Sequence, residues 1–133
     1  MMDEDNLTDL RQLLASQLAR HSEIHFAVLY GSAAEGGPFR DLDVGLFVDR
    51  SAVPASRDWD FAFELAVELE AAISYPVDVR VINDASLPFR FSVSRGIPLL
   101  VNDEETWVNF LEWTWIMYFD FQPVAMQYLK EMK

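Results

Sequence analysis

Asp41, Asp43 and Asp78 are the residues whose type and spacing could do chemistry. In Asp41-Leu42-Asp43 one residue separates two carboxylates, within a segment that continues Val44-Gly45-Leu46-Phe47-Val48. Successive side chains of a strand point to opposite faces, so Asp41 and Asp43 share a face while Leu42, Val44, Leu46 and Val48 turn to the core. Two like charges about 6–7 Å apart on an otherwise apolar strand are a standing electrostatic cost. Asp78 repeats the arrangement between Val77, Val79 and Val81. Should the two strands pair, three carboxylates meet on one small patch. At about 4 Å and an effective dielectric near 20, each close pair repels by roughly 4 kcal/mol. Such a patch stays ionised at neutral pH when cations occupy it, and hard divalent ions that prefer oxygen suit it best.

A lone D-x-D pair more often marks inert, solvent-facing strand ends. The chemical reading gains from Gly31-Ser32, which closes the preceding strand. Glycine lets the backbone turn sharply and approach a ligand, while the serine hydroxyl and the N–H groups opening the next turn can hold phosphate oxygens. Two metals held by such a cluster could activate an attacking hydroxyl and neutralise a departing pyrophosphate. The chain has no P-loop, so phosphate binding of that kind is excluded.

These residues need elements to position them. Leu7, Leu10, Leu13, Leu14, Leu18 and Ala19 recur at helical spacing, with Asn6 or Thr8 placed to cap the start and an end near His21. Ile24 to Tyr30 is β-branched and aromatic, a buried strand halted by Gly31. Ala33 to Pro38 is a turn or a short helix followed by a loop, and Asp41 to Val48 is the second strand. Arg50 to Arg57 is a linker. Phe61, Phe63, Leu65, Ala66, Leu69 and Ile73 mark a helix from about Asp58 to Ser74. Val77 to Ile82 alternates as a third strand, and Ser86 to Arg95 is a short helix with Pro88 near its start. Ile97 to Val101 is edge-like, because Pro98 cannot donate to a central ladder. Asn102 or Asp103 caps a last helix, about 103–121, that Pro123 stops or kinks. This order predicts a single α+β domain over 1–133, a small mixed β-sheet flanked by helices.

Composition narrows the function classes. The chain has 133 residues, 51% of them hydrophobic, with Lys+Arg 10 against Asp+Glu 22 and a formal net charge of −12. That apolar share excludes a disordered chain. With no cysteine there is no disulfide scaffold, thiolate zinc site or cysteine nucleophile. No apolar run approaches the roughly 18 residues of a membrane span, and the start, Met1-Met2-Asp3-Glu4-Asp5, is acidic where a secretion signal is basic. The reducing cytoplasm is the expected compartment. A surface this acidic, with scattered basic residues, is not expected to bind nucleic acid stably.

Leu29-Tyr30-Gly31-Ser32-Ala33-Ala34-Glu35-Gly36, followed by Arg40-Asp41-Leu42-Asp43-Val44-Gly45-Leu46-Phe47-Val48 and by Asp78 in Pro76-Val77-Asp78-Val79, resembles the signature of minimal nucleotidyltransferases of the DNA polymerase beta superfamily. Phe89 to Leu100 is similar to the helix and short strand that follow in that family, and Tyr118 to Pro123 resembles the tail of its antitoxin branch, which partners HEPN-domain toxins. The resemblance implies a polymerase-beta-like fold and a magnesium-dependent transferase with ATP as substrate. In that branch AMP passes from ATP to a tyrosine of the HEPN ribonuclease. It further implies that Gly31 and Ser32 hold the triphosphate, that Asp41 and Asp43 bind metal, and that Asp78 binds metal and helps deprotonate the attacking hydroxyl. Ala33 and Glu35 stand where the family often carries arginine, and the loop up to Arg40 is short. Two other readings therefore accompany this one: an antitoxin that acts by binding alone, and a transferase that modifies a small hydroxylated molecule.

The remaining conspicuous residues have plainer readings. His21 and His25 are too few and too badly spaced for a metal cluster, and Arg80, on the face of Asp78, could touch phosphate but more simply pairs with Asp78. Arg90 and Arg95 could reach a triphosphate or lie on a helix surface. In the aromatic last helix, Trp107, Phe110, Leu111, Thr114, Trp115 and Tyr118 form one stripe that a core explains. Trp113, Ile116 and Phe119 fall off that stripe and suit a protein partner, further core or a homodimer.

Overall fold

The computed structural model describes residues 4–131, with side chains described for residues 6–120. In chain order the elements are α1 (Glu4–Leu18), β1 (Ile24–Tyr30), α2 (Ser32–Glu35), β2 (Leu42–Val48), a 3-10 turn (Ala55–Arg57), α3 (Asp58–Ile73), β3 (Val77–Val81), α4 (Leu87–Ser94), β4 (Ile97–Val101) and α5 (Glu104–Glu131). The strands form one sheet in the order β3-β2-β1-β4. β1 runs antiparallel to β2 and β4, whereas β2 and β3 are parallel. A parallel neighbour requires a crossover, and α3 supplies it. The fold is therefore α+β with a mixed sheet, as the order of elements implies.

Strand alternation sorts the sheet into two faces. Leu29 of β1 and Leu42, Val44 and Leu46 of β2 pack with Leu14 and Leu18 of α1 and Leu65 and Leu69 of α3. Each such leucine, fully buried, contributes about 1.5–3 kcal/mol of transfer free energy. On the other face Phe26, Val28 and Tyr30 of β1 meet Val93 of α4 and Phe110 of α5. Gly45 is what lets α4 lie down on β2, since a Cβ there would stand 3.2 Å from Val93 Cγ1. Ser86 caps α4, its hydroxyl accepting from the Phe89 N–H. Ser74 ends α3 in the left-handed conformation, φ 56°, with its N–H on the Glu70 carbonyl.

Two boundaries differ from the sequence reading, and one open alternative is decided. Asp41 lies in a bend just before β2, because the Leu42 N–H already opens the ladder by donating to the Pro76 carbonyl at 2.9 Å. The short stretch after Gly31 resolves as the single turn α2. The last helix does not end near Phe121: its backbone continues through Pro123 to Glu131. Proline removes one helical hydrogen bond, and the following Met, Gln, Leu and Lys are strong helix formers that carry the helix past it. β4 is an edge strand, with Pro98 opposite Val28. Among the described residues no helix is long and apolar enough to cross a membrane.

Candidate active site

Strand register assembles the site. Tyr30 is the cross-strand partner of Asp43 on β1–β2, and Asp43 is the partner of Asp78 on β2–β3. The three therefore sit in one row across three strands, on the face that carries α4 and α5. Asp41 stands in the bend two residues before Asp43. Gly31 follows Tyr30 with φ 78° and ψ −157°, a region that side chains strain to adopt. A Cβ there would meet the Asp43 Oδ2 at 2.5 Å, so only glycine lets the chain turn directly over that carboxylate. Ser32 then opens α2 beside it.

A cleft of about 390 Å³ lies at this turn, lined by Ser32, Pro38, Phe39, Arg40, Asp41 and Asp43. Burial holds the Asp43 carboxyl above the usual carboxylate range, Asp78 and then Asp41 push it further, and Arg80 opposes them. Tyr30 is pushed up to about 12, first by burial and then by Asp43 and Asp78, so its phenol keeps its proton. The Tyr30 ring packs edge-on against Phe89, 5.5 Å between centroids. Arg80 Nε stands 3.4 Å from Asp78 Oδ2, the charge partnership read from the sequence.

Among the described residues no group of three or more His, Cys, Asp or Glu side chains is arranged to hold a metal ion by itself. Magnesium does not require such a cage, since it commonly takes one or two carboxylates together with substrate phosphates. Asp43 and Asp78 are hard oxygen donors in direct register, and Asp43 carries a charge that its surroundings disfavour. A dication arriving with a nucleotide would relieve that repulsion, so the donor set fits the ion.

Gly31, Ser32, Asp41 and Asp43 thus gather at one cleft, with Asp78 on the adjoining strand. Arg90 lies elsewhere. Its guanidinium sits over the rings of Trp113 (4.8 Å) and Phe110 (5.1 Å), and Nη1 donates to the Asn83 carbonyl at 2.7 Å. Arg95 lies over Phe91 at 5.8 Å. His25 Nδ1 is 3.5 Å from Asp103 Oδ2, and His21 Nε2 is 2.6 Å from Glu68 Oε2, so each half-buried imidazole sits against one carboxylate. Tyr30 and Arg40 were not singled out from the sequence. Tyr30 meets Asp43 only through the β1–β2 register, and Arg40 is placed only by the folding of its loop, so neither carries a local sequence signal.

In α5 the aromatic stripe divides. Phe110 and Thr114 are buried, while Trp113, Ile116 and Phe119 are 49%, 59% and 57% exposed. Trp115 departs from its expected core position: it is 44% exposed, held at the rim by its Nε1–H bond to Ser94 Oγ at 2.9 Å.

A sheet carrying paired aspartates beside a Gly-Ser turn defines a nucleotidyltransferase-like protein. The chain belongs to the polymerase beta nucleotidyltransferase family, whose model matches residues 12–105. No curated protein matches the chain. Its fold is similar to a solved MntA–HepT toxin–antitoxin structure, at 18% identity and TM-score 0.64, covering 94% of this chain and 97% of that one. A toxin–antitoxin structure with AMP-PNP is similar at 21% identity and TM-score 0.67, over 92% and 97% of the two chains. A third, the tri-AMPylated Shewanella oneidensis HEPN toxin in complex with its MNT antitoxin, is similar at 20% identity and TM-score 0.62, over 92% and 98%.

Proposed function

We propose that this chain is a magnesium-dependent nucleotidyltransferase acting as an antitoxin, which transfers AMP from ATP to a tyrosine hydroxyl of a HEPN-domain toxin. The observation that carries the reading is the register pairing of Asp43 with Asp78 beside the Gly31-Ser32 turn. Gly31 and Ser32 hold the triphosphate, and Arg40 adds the positive charge that Ala33 and Glu35 do not supply. Asp41, Asp43 and Asp78 hold the metal, which when bound screens the negative charge of the phosphates. Asp78 accepts the proton of the acceptor hydroxyl. The acceptor oxygen bonds the α-phosphorus, the bond from that phosphorus to the bridging oxygen breaks, and pyrophosphate leaves with the electron pair.

Two of the solved complexes support the reading by their contents, a nucleotide analogue in one and an AMPylated toxin in the other. The exposed Trp113, Ile116 and Phe119 on α5 give a toxin an apolar surface to grip. The test is incubation with labelled ATP, magnesium and the HEPN partner. Label on that partner, lost in Asp41→Asn and Asp43→Asn, is the expected result. A stable complex that never takes label would replace this reading with an antitoxin that acts by binding alone, for which the exposed face of α5 would suffice.

A further inference from the structure

A groove of about 600 Å³ runs along the far flank of Asp78, between the outer edge of β3 and α3. Its floor is Val77, Val79 and Val81, and its wall is Trp59, Phe63 and Val67, which are 82%, 62% and 54% exposed. Isolated exposed apolar residues are ordinary, but three spaced four apart on one helix face beside an open sheet edge form a continuous patch. β3 is the edge strand on this side of the sheet, as β4 is on the other. The Leu42 N–H donates to the Pro76 carbonyl and the Ile82 N–H to the Leu46 carbonyl, so the even-numbered residues face β2. Val77, Val79 and Val81 therefore turn their backbone groups outward. Glu70 Oε1 takes the Val77 N–H at 2.9 Å, and the backbone groups of Val79 and Val81 face the groove.

We propose that this groove docks the acceptor substrate as an extended, basic segment of the partner protein, added to β3 as a further strand; the proposal rests on the nucleotidyltransferase reading. Main-chain bonds to an edge strand give affinity, and alternate side chains give selectivity. One set of side chains of the added strand lies against Trp59, Phe63 and Val67. The other set projects onto the face of Asp43 and Asp78, where a residue opposite Asp78 stands about 4.5–5.5 Å away, Cβ to Cβ. A hydroxyl on that residue gives its proton to Asp78 as its oxygen bonds the α-phosphorus of ATP, and pyrophosphate leaves. Charge favours a basic occupant. Asp58 at the groove is paired with Arg50 and Asp78 with Arg80, the single cation among its described lining residues, while Asp60, Glu64 and Glu70 stand exposed along α3 and leave the negative excess. A second copy of this chain would bring the same −12 charge to the contact.

The test uses a blocked heptapeptide, acetyl-Val-Lys-Val-Tyr-Val-Lys-Val-amide, titrated against the full chain with and without magnesium-ATP. Binding should slow amide exchange at Val79 and Val81, and N-methylation of the peptide amides that face β3 should weaken it about tenfold for two lost main-chain bonds. Val79→Pro removes one outward N–H without touching the β2 ladder and should cost about threefold, with magnesium-ATP affinity unchanged. Phe63→Glu, on an exposed side chain, should weaken binding as well and serves if Val79→Pro folds poorly. With ATP present, label should reach the peptide tyrosine. Equal binding by both variants or by the N-methylated peptide overturns the proposal. So does a wild-type dimer that Val79→Pro converts to monomer, because the groove then belongs to a second copy. Peptide binding without magnesium-ATP uptake supports the groove and sinks the nucleotidyltransferase reading instead.

Discussion

Asp43 and Asp78 occupy directly opposed positions on parallel neighbours β2 and β3, two carboxylates at one level of the sheet with Arg80 as their nearby cation. Like charges placed opposite each other on a sheet are destabilising by roughly 0.2–1 kcal/mol. The nucleotide-free fold therefore carries a penalty where a cation would be welcome. Asp43→Asn should raise the melting temperature of the ligand-free protein at neutral pH by a few degrees while abolishing AMP transfer. The sign follows from the raised Asp43 carboxyl, whose first cause is burial. The folded protein holds that proton more tightly than the unfolded chain does, so wild-type stability falls as pH rises from the ordinary carboxylate value of 3.8 towards the raised one. Thermal melts of the Asn variant should lack that fall. A variant less stable than wild type at pH 7 would contradict the penalty.

Gly31 is tied to the same carboxylate through space. Gly31→Ala puts a Cβ against Asp43 Oδ2 at a positive φ. Strain of this kind costs about 1–3 kcal/mol. Urea denaturation should report a loss in that range, together with weaker magnesium-ATP binding by calorimetry. Binding that stays intact would mean the carboxylate moves aside freely.

Arg40 brings the positive charge at the cleft that holds Ser32, Asp41 and Asp43. Arg40→Ala should lower magnesium-ATP affinity about tenfold, as befits one lost charge-assisted hydrogen bond, and should leave adenosine binding alone. Calorimetry with ATP, pyrophosphate and adenosine separates a phosphate contact from a base contact.

The α5 face offers a cleaner interface test than its tryptophan. Trp113 covers the Arg90 guanidinium at 4.8 Å, so Trp113→Ala disturbs the monomer as well as any complex. Ile116 is more exposed, and Ile116→Asp should weaken the toxin complex more than about tenfold if the side chain is an interface anchor. The melting temperature of the free protein should not move. Unchanged affinity would exclude this face.

Asp103 caps α5, accepting the Thr106 N–H at 3.2 Å, and that bond holds its carboxyl below the usual range. Its contribution is in place above the unfolded carboxylate pKa and is lost as pH falls through the depressed folded value. Asp103→Ala should therefore flatten the acid limb of a stability-against-pH curve. An unchanged limb would show that the cap adds nothing.

Much of this was legible before the fold. Ile24–Tyr30 and Ile97–Val101 are strands at the residues where composition and punctuation place them, and Pro98 sits on an edge because it cannot donate inward. The local rules failed where distant contacts decide. Trp115 stays at the rim through its bond to Ser94, and Arg90, readable as a phosphate ligand, is held in an aromatic wall by α5.

The sequence by itself determined that Asp43 lies opposite in facing to Leu42 and Val44, that a glycine precedes it where the chain must turn, and that Asp78 alternates with valines. Those are consequences of a two-residue period and of one missing Cβ, which need no neighbours. Only the tertiary structure decided that Asp43 faces Asp78, that Tyr30 completes the row, and that β3 leaves an open edge along α3. Strand order and register are set by which apolar faces can be buried together, a property of the whole core rather than of any one segment.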